Sequence, residues 1–115
     1  MFGFFKRSDD TTMITPEEVT QRQAAGEKLF ILDVREPGEY AEGHIAGSTL
    51  IPLGQLAQRT AKLPHDRPIV VVCRSGNRSG VGQTVLQRAG FENVLNMRGG
   101  MIGWARSGLP TRRGK

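Results

Sequence analysis

The sequence predicts an α/β protein in which helices cover both faces of a parallel β-sheet. Two observations support this fold class. Helix and strand signals alternate along the chain from residue 15 to residue 108, which is typical of repeated β–α–β units. Residues 69–72 form an apolar run in which no polar residue alternates, and such runs are typical of strands buried on both faces of a parallel sheet.

The first half of the chain carries two predicted helices and two predicted strands. The first helix begins at Thr15, because Thr15 and Glu18 form a capping box and Pro16 occupies the first helical position. This helix is expected to end at Gly26. The elements that follow are a strand over Leu29–Val34, a short helix over Pro37–Gly43 and a short strand over Ser48–Leu53.

The second half of the chain repeats this alternation. Residues 54–64 place apolar side chains at helical spacing and predict one helix. The strand over Ile69–Val72 follows, and the next helix begins near Arg78 or Ser79 and ends at Gly90. The last elements are a strand in "NVLNM" (93–97) and a helix in "MIGWARSG" (101–108), which follows a turn predicted at Gly99 and Gly100.

The length of 115 residues is that of a single domain. We expect a flexible N-terminal tail over residues 1–12, the folded domain over 13–110 and a basic C-terminal tail over 111–115. The net charge of +5 lies mainly in the tails, since residues 11–111 carry 11 basic and 9 acidic side chains. No nucleic-acid partner is therefore expected. No apolar run reaches the roughly 20 residues of a spanning helix, so we expect no membrane span and a cytoplasmic location.

Cys73 is the only cysteine and directly follows the strand over Ile69–Val72. A lone cysteine at such a position is usually a small apolar core residue. The surrounding residues indicate a reactive thiol instead. Gly76 lets successive backbone N–H groups turn toward one point, and the start of the next helix adds a partial positive charge. Arg74 and Arg78 add two full charges, so a lowered pKa is expected for the Cys73 thiol.

Two nucleophilic chemistries use a cysteine in such a loop. Phosphatases usually carry the spacing C-x5-R, whereas Cys73 and Arg78 have the spacing C-x4-R, which is one residue shorter. The shorter loop suits a single sulfur atom better than a tetrahedral phosphate, so it favours sulfur transfer through a persulfide. A disulfide oxidoreductase is disfavoured, because the chain has no second cysteine to resolve a mixed disulfide.

Three segments resemble the signatures of the rhodanese-like domains and occur in the order of that family. The segment "DVREPGEYAEGHIAGSTLIP" (33–52) is similar to the first signature, although Ser48 stands where alanine is more usual. The segment "CRSGNRS" (73–79) resembles the active loop, and "RGGMIGWARSGLP" (98–110) resembles the C-terminal signature. The resemblance covers residues 14–110. It implies a five-stranded parallel sheet with Cys73 as the sulfur acceptor.

The resemblance also implies a thiosulfate sulfurtransferase that works in two steps. A small-molecule donor such as thiosulfate loads a sulfur atom onto Cys73, and cyanide or another thiol removes it. The first alternative is a relay module that exchanges persulfide sulfur with a protein partner, and the second is an arsenate reductase or phosphatase on the same fold. No cofactor is implied. The residues predicted to bind substrate are Arg74, Ser75, Gly76, Asn77, Arg78 and Ser79.

Four further residues are predicted to support the site structurally. Asp33 and Arg35 are expected to pair with each other, since charges at buried strand ends are normally paired; catalysis is the alternative role. For His44 a hydrogen bond to the backbone is favoured over a role as general base, because a preformed thiolate needs no base. Trp104 is expected to fill the core, the alternative being the substrate mouth. No metal is expected, because no His, Cys and acidic cluster has metal-ligand spacing.

Overall fold

Within residues 12–114, which are those that this computed structural model describes, five strands form one parallel sheet. The strands are β1 (Met13–Ile14), β2 (Phe30–Asp33), β3 (Thr49–Leu50), β4 (Ile69–Val72) and β5 (Val94–Met97). The helices are α1 (Pro16–Ala24), α2 (Pro37–Glu42), α3 (Leu53–Leu56), α4 (Asn77–Arg88) and α5 (Gly100–Arg106), with a 3₁₀ helix at Thr60–Lys62. The order of strands across the sheet is β1–β5–β4–β2–β3.

Strand β4 lies at the centre of the sheet and separates two apolar cores. It pairs in parallel with β2 on one side and β5 on the other, and all four of its residues are buried. Val70 and Val72 point into a core that α1 and α5 cover, whereas Ile69 and Val71 point into a core that α3 and α4 cover. The predicted fold class, a five-stranded parallel sheet with helices on both faces, is therefore confirmed.

The start of α1 follows the predicted capping box. The Glu18 N–H donates to Thr15 Oγ1 at 3.1 Å, and the Thr15 N–H donates to Glu18 Oε1 at 2.8 Å. These two bonds satisfy N–H groups that would otherwise lack partners at the helix terminus. The chain leaves α1 at Ala25 and then turns at Gly26, which has a φ of 93°.

The single helix predicted over residues 54–64 is wrong. The chain forms only the short α3 and, after a turn, the 3₁₀ helix. Leu56 and Leu63 are the main buried side chains of this segment. The burial of these two side chains does not offset the weak helix propensity of Gly54 and Thr60 or the free-energy cost of nucleating a helix.

The two predicted tails differ in how much of each the structure describes. Residues 111–114, within the predicted C-terminal tail, contact the body: Arg112 forms an antiparallel bridge with His44, and the Gly114 N–H donates to the Ala41 carbonyl at 2.8 Å. The domain boundary at residue 110 stays a prediction. The predicted N-terminal tail lies almost entirely outside the described residues. Among the helices of residues 12–114, none is long and apolar enough to cross a membrane.

Candidate active site

The active loop, residues 73–79, connects the carboxyl end of β4 to the first turn of α4. Cys73 follows β4 directly, and α4 begins at Asn77, one residue earlier than predicted. The chain therefore reverses within three residues. Gly76 makes this possible with a φ of 114°, a left-handed conformation that side chains with a Cβ rarely adopt. In open α/β sheets ligands bind at the carboxyl ends of the strands, and the loop lies there.

The Cys73 thiol is buried at the base of this loop, with 1% of the residue exposed. The Gly76 N–H donates to Cys73 Sγ at 3.0 Å, and Sγ lies 3.3 Å from Ser79 Oγ. Burial raises the pKa of the thiol, but the hydrogen bonds that the thiolate accepts, from the Ser79 hydroxyl and from the N–H groups of Ser79, Gly76 and Ser75, outweigh it. The pKa of Cys73 is therefore lowered, in the direction that the sequence predicts.

Asn96 of β5 contacts the active loop at two points and was missed by the sequence analysis. Its Oδ1 accepts a hydrogen bond of 2.6 Å from the Ser79 hydroxyl, and its Nδ2 donates to the Gly76 carbonyl at 3.2 Å. Asn96 and Ser79 are both buried. The available signal was the polar residue in the middle of the apolar strand "NVLNM", because a buried amide must find partners.

The first turn of α5 holds the other side of the loop. The Met101 N–H donates to the Cys73 carbonyl at 2.8 Å, and the Ile102 N–H donates to the Arg74 carbonyl at 3.0 Å. Gly100 allows this close approach. It has a φ of 57°, and a Cβ built there would lie 2.5 Å from the Cys73 and Arg74 carbonyl oxygens. The predicted glycine turn before α5 thus also brings two backbone donors onto the loop.

Arg78 forms an ion pair within the chain that the sequence analysis did not foresee. Its Nη1 and Nη2 donate to Glu39 Oε1 and Oε2 at 2.7 and 2.9 Å. An arginine in the first turn of a helix opposes the helix dipole, so a nearby anion is needed to offset this cost. The Glu39 carboxylate of α2 is an anion that occupies this position. Arg78 is therefore neutralised by the protein, and its contact with substrate stays a prediction.

Arg74 is the other arginine of the active loop, and its charge is available to a ligand. Among the side chains of residues 12–114, none pairs with its guanidinium, and the residue is exposed, as are Ser75 and Asn77. It borders an open cleft of about 500 Å³, whose lining also includes Glu39 and Ile102. Arg74 can therefore meet an anion without first breaking an internal ion pair.

Asp33 and Arg35 form the buried pair that the sequence predicts. Arg35 Nε donates to Asp33 Oδ1 at 2.9 Å and Nη2 donates to Oδ2 at 2.7 Å. The same guanidinium donates to the Gly43 carbonyl at 2.8 Å and to the Glu39 carbonyl at 3.4 Å. The pair thus ties the end of β2 to α2, the helix that supplies the partner of Arg78.

His44 and Trp104 are both buried and bonded to backbone groups. His44 Nδ1 lies 2.8 Å from the Tyr40 carbonyl, and its ring stacks on the Tyr40 ring with centroids 3.8 Å apart. Trp104 is 3% exposed, and its Nε1–H donates to the Pro110 carbonyl at 2.8 Å. Neither residue forms a hydrogen bond with the active loop. Within residues 12–114, no group of three His, Cys, Asp or Glu residues could hold a metal ion.

Comparison with known proteins agrees with this geometry. The family model described as "Rhodanese-like domain" matches residues 15–107. A sulfurtransferase of Allochromatium vinosum is 41% identical over 97 residues, which cover 84% of this chain and 91% of that protein. A putative sulfur carrier protein of Bacillus subtilis, YrkF, is 38% identical over 91 residues, covering 79% of this chain and 49% of the relative.

A solved structure shows the same fold. The crystal structure of a rhodanese-related protein from Thermoplasma volcanium superposes with a TM-score of 0.80 at 32% identity, covering 88% of this chain and 97% of that one. The family match spans most of the folded body and includes the whole active loop. This chain therefore belongs to the rhodanese-like domain family.

Proposed function

We propose that the protein is a sulfurtransferase that carries sulfane sulfur as a persulfide on Cys73. The observation that carries the proposal is the bond from the Gly76 N–H to the buried Cys73 sulfur at 3.0 Å, at the base of an exposed loop. Backbone N–H groups that point at a thiolate stabilise the nucleophile. The sulfurtransferase name of the Allochromatium relative supports the same chemistry.

In the first step, the Cys73 thiolate attacks the outer sulfur of a donor such as thiosulfate. A bond forms between Sγ and that sulfur, the sulfur–sulfur bond of thiosulfate breaks, and sulfite leaves with the bonding electron pair. The new terminal sulfur of the persulfide is an anion, and we expect the loop N–H groups that surround Cys73 Sγ to stabilise it. Because those donors are in place before the reaction, they need little reorganisation to stabilise the product.

In the second step, a thiophilic acceptor attacks the terminal sulfur. Cyanide forms a carbon–sulfur bond and leaves as thiocyanate, while the electron pair of the broken sulfur–sulfur bond returns to Sγ and restores the thiolate. A thiol acceptor would leave as a persulfide in the same way. Both steps balance on donor, acceptor and Cys73 alone, so the proposal includes no cofactor.

The loop residues divide into two proposed roles. Gly76, Ser75 and Ser79 hold the sulfur through hydrogen bonds, and Asn77 contributes its backbone at the start of α4. Arg74 attracts the anionic donor, since its guanidinium is unpaired within residues 12–114. Arg78 adds a more distant positive charge, which Glu39 partly cancels.

Thiocyanate release tests the proposal directly. The protein should produce thiocyanate from thiosulfate and cyanide, and Cys73→Ser should produce none, because a serine hydroxyl is not ionised at neutral pH and cannot hold a persulfide. The control is Ser107→Ala, a serine at the far end of α5. Turnover in Cys73→Ser would contradict the assignment of the nucleophile.

A second candidate function is a relay that delivers persulfide sulfur to a protein. The similarity to YrkF, named a putative sulfur carrier protein, favours it, although this chain spans about half of that relative. Both functions use Cys73 in the same way and differ in the acceptor. For both functions we also propose a cytoplasmic location and a preference for sulfur over phosphate or arsenate. Transfer from the loaded protein to a purified thiol protein much faster than to cyanide would identify the relay.

A further inference from the structure

Cys73, Gly76, Ser79 and Asn96 form a closed ring of hydrogen bonds around the reactive sulfur. The Gly76 N–H donates to Sγ at 3.0 Å, and Sγ lies 3.3 Å from Ser79 Oγ. Ser79 Oγ lies 2.6 Å from Asn96 Oδ1, and Asn96 Nδ2 lies 3.2 Å from the Gly76 carbonyl. Gly76 closes the ring, because its N–H bonds Cys73 and its carbonyl bonds Asn96.

The direction of each bond in this ring follows from one group that cannot donate. The Gly76 carbonyl only accepts, so the amide nitrogen of Asn96 must face it, and Asn96 Oδ1 must then face Ser79. The Ser79 hydroxyl has a single proton and gives it to that oxygen. A lone pair of Ser79 Oγ is therefore left facing Cys73 Sγ, which must donate its own proton. The ring as it stands fits a thiol and not a thiolate.

We propose that Asn96 is a positioning residue that holds the Ser79 hydroxyl in the orientation that accepts the Cys73 S–H proton, so that in the unchanged protein this hydroxyl must turn to the sulfur as Cys73 ionises. The inference rests on the proposed function only in that the Cys73 thiolate is the nucleophile. Asn96 forms no hydrogen bond with the reacting sulfur and acts through Ser79.

Ionisation then exchanges one hydrogen bond for another. The thiol proton leaves to a base in the solvent, because no side chain of the ring can take it up. The Ser79 O–H rotates about its Cβ–Oγ bond, its bond to Asn96 Oδ1 breaks, and a bond to the thiolate forms. Asn96 Oδ1 is left 2.6 Å from an oxygen that no longer offers a proton. Asn96 thus opposes ionisation, while the loop N–H groups favour it.

The charged groups around Cys73 lie outside this ring. Arg74 belongs to the loop and Arg78 to α4, and Arg78 is paired with Glu39 of α2. At the end of β2, Asp33 and Arg35 neutralise each other. The first turn of α5 has no charged side chain, and β5 contributes only uncharged residues. Substitution of Asn96 by an apolar residue therefore leaves every ionic contribution to the Cys73 pKa in place.

The test is the pKa of Cys73 in Asn96→Leu, measured from the ultraviolet absorbance of the thiolate against pH. Cys73 is the only cysteine, so the signal reports one group. Leucine removes the competing acceptor, and the Ser79 hydroxyl then donates to the thiolate without a cost. The Gly76 carbonyl keeps the Gly80 N–H at 3.3 Å. The midpoint should fall by about one pH unit, the effect of one hydrogen bond to a charged group.

The same substitution in a Ser79→Ala background separates this role from a structural one. Without the Ser79 hydroxyl, Asn96 Oδ1 and the thiolate no longer compete for its proton. Asn96→Leu should therefore shift the midpoint much less in this background than in the protein that keeps Ser79. If Asn96 only holds the loop in shape, its loss should loosen the N–H groups and raise the midpoint in both backgrounds. A raised midpoint, an unchanged midpoint or an equal shift in both backgrounds would overturn the proposal.

Two controls guard the measurement. Asn93→Leu places the same substitution at an exposed residue just before β5 and should leave the midpoint unchanged. Asn96→Val, a smaller residue that strands accept readily, replaces Asn96→Leu if leucine does not fit the site, and carries the same expectation. No sulfur donor is used, so failure of sulfur transfer leaves this result intact, and failure of this result leaves the proposed function intact.

Discussion

Glu39 and Arg78, which lie 39 residues apart in the chain, join α2 to the first turn of α4 through two parallel hydrogen bonds. The Arg78 guanidinium, with smaller help from a backbone bond, lowers the pKa of the Glu39 carboxyl to about 2 against the cost of desolvation. Behind this pair, Arg35 donates to the Glu39 carbonyl and binds Asp33. The end of β2 and the active loop are thereby linked through α2.

Glu39→Gln should destabilise the protein at neutral pH by about 1 kcal/mol, a value reduced for screening because both side chains are about one-third exposed. The folded-state pKa of Glu39 is depressed, so its stabilisation is fully present above about 4.5 and is lost as the pH falls through about 2. The difference in unfolding free energy between the protein and Glu39→Gln should therefore shrink over that interval, as urea unfolding can measure.

Glu42→Gln is the matched control, because Glu42 lies on the same helix and has no ion pair among the described residues. Glu42→Gln should hardly change the free energy of unfolding at neutral pH or near pH 2. A difference between the protein and Glu39→Gln that stays constant from neutral pH to about pH 2 would show that the ion pair does not stabilise the fold.

Gly100→Ala should destabilise the protein severely and abolish sulfur loading. Its Cβ would lie 2.5 Å from two loop carbonyls, so the first turn of α5 must move away from the active loop. The control is Gly108→Ala, which has a similar positive φ of 74° but no atom within 4 Å of the added Cβ. Gly108→Ala should cost only the roughly 1–2 kcal/mol of the left-handed conformation.

Gly100→Ala should cost roughly 1–3 kcal/mol more than that, the usual penalty of forcing atoms into a packed site. Chemical denaturation gives both values, and the difference between the two variants isolates the contact with the loop. Equal destabilisation by the two substitutions would mean that α5 yields freely, and that its donors do not fix the loop.

Arg74→Ala should slow persulfide formation from thiosulfate by roughly 10- to 100-fold, the effect of one charge-assisted hydrogen bond to a dianion. The second-order rate should also depend less on salt, since one attracting charge is gone. Arg88→Ala removes a charge at the far end of α4 and should change neither quantity much. A rate that is the same in Arg74→Ala and in the unchanged protein would exclude Arg74 from donor binding.

The length of the active loop should select sulfur over phosphate. A phosphoryl or arsenate group would press its oxygens into the backbone between Cys73 and Arg78, which packed surroundings do not accommodate cheaply. The unchanged protein should therefore show no appreciable hydrolysis of aryl phosphates. Insertion of one glycine after Gly76 should impair sulfur transfer, because the N–H donors would no longer converge. Phosphatase turnover that depends on Cys73 would contradict this explanation of the loop length.

Local signals predicted the parts of the fold that depend on local physics. The capping box at Thr15, the apolar run of β4 and the backbone turn at Gly76 are each determined by a few neighbouring residues, and each has the expected structure. β1 has only two residues and pairs at the sheet edge, so no periodicity marks it. The helix predicted over 54–64 failed because spacing alone does not show how few of its side chains are buried.

The geometry of the candidate site could be predicted where it lies in one continuous segment, but not where distant segments meet. Cys73 and the loop after it form one segment, so their chemistry could be read from the order of residues. Glu39 and Asn96 reach the loop from α2 and β5, and the sequence does not reveal which distant side chain meets Arg78 or Ser79. The sequence therefore did not show that Arg78 already has an anionic partner within the protein, the Glu39 carboxylate.

The most direct test of the central claim is the intact mass of the protein after one exposure to thiosulfate and then to cyanide. The Cys73 persulfide predicts a gain of one sulfur atom in the first step, with an equal amount of sulfite released. The second step should remove that sulfur, with an equal amount of thiocyanate formed. Cys73→Ser should keep its mass throughout. An unchanged mass after thiosulfate, or a sulfur adduct that Cys73→Ser also acquires, would contradict the account.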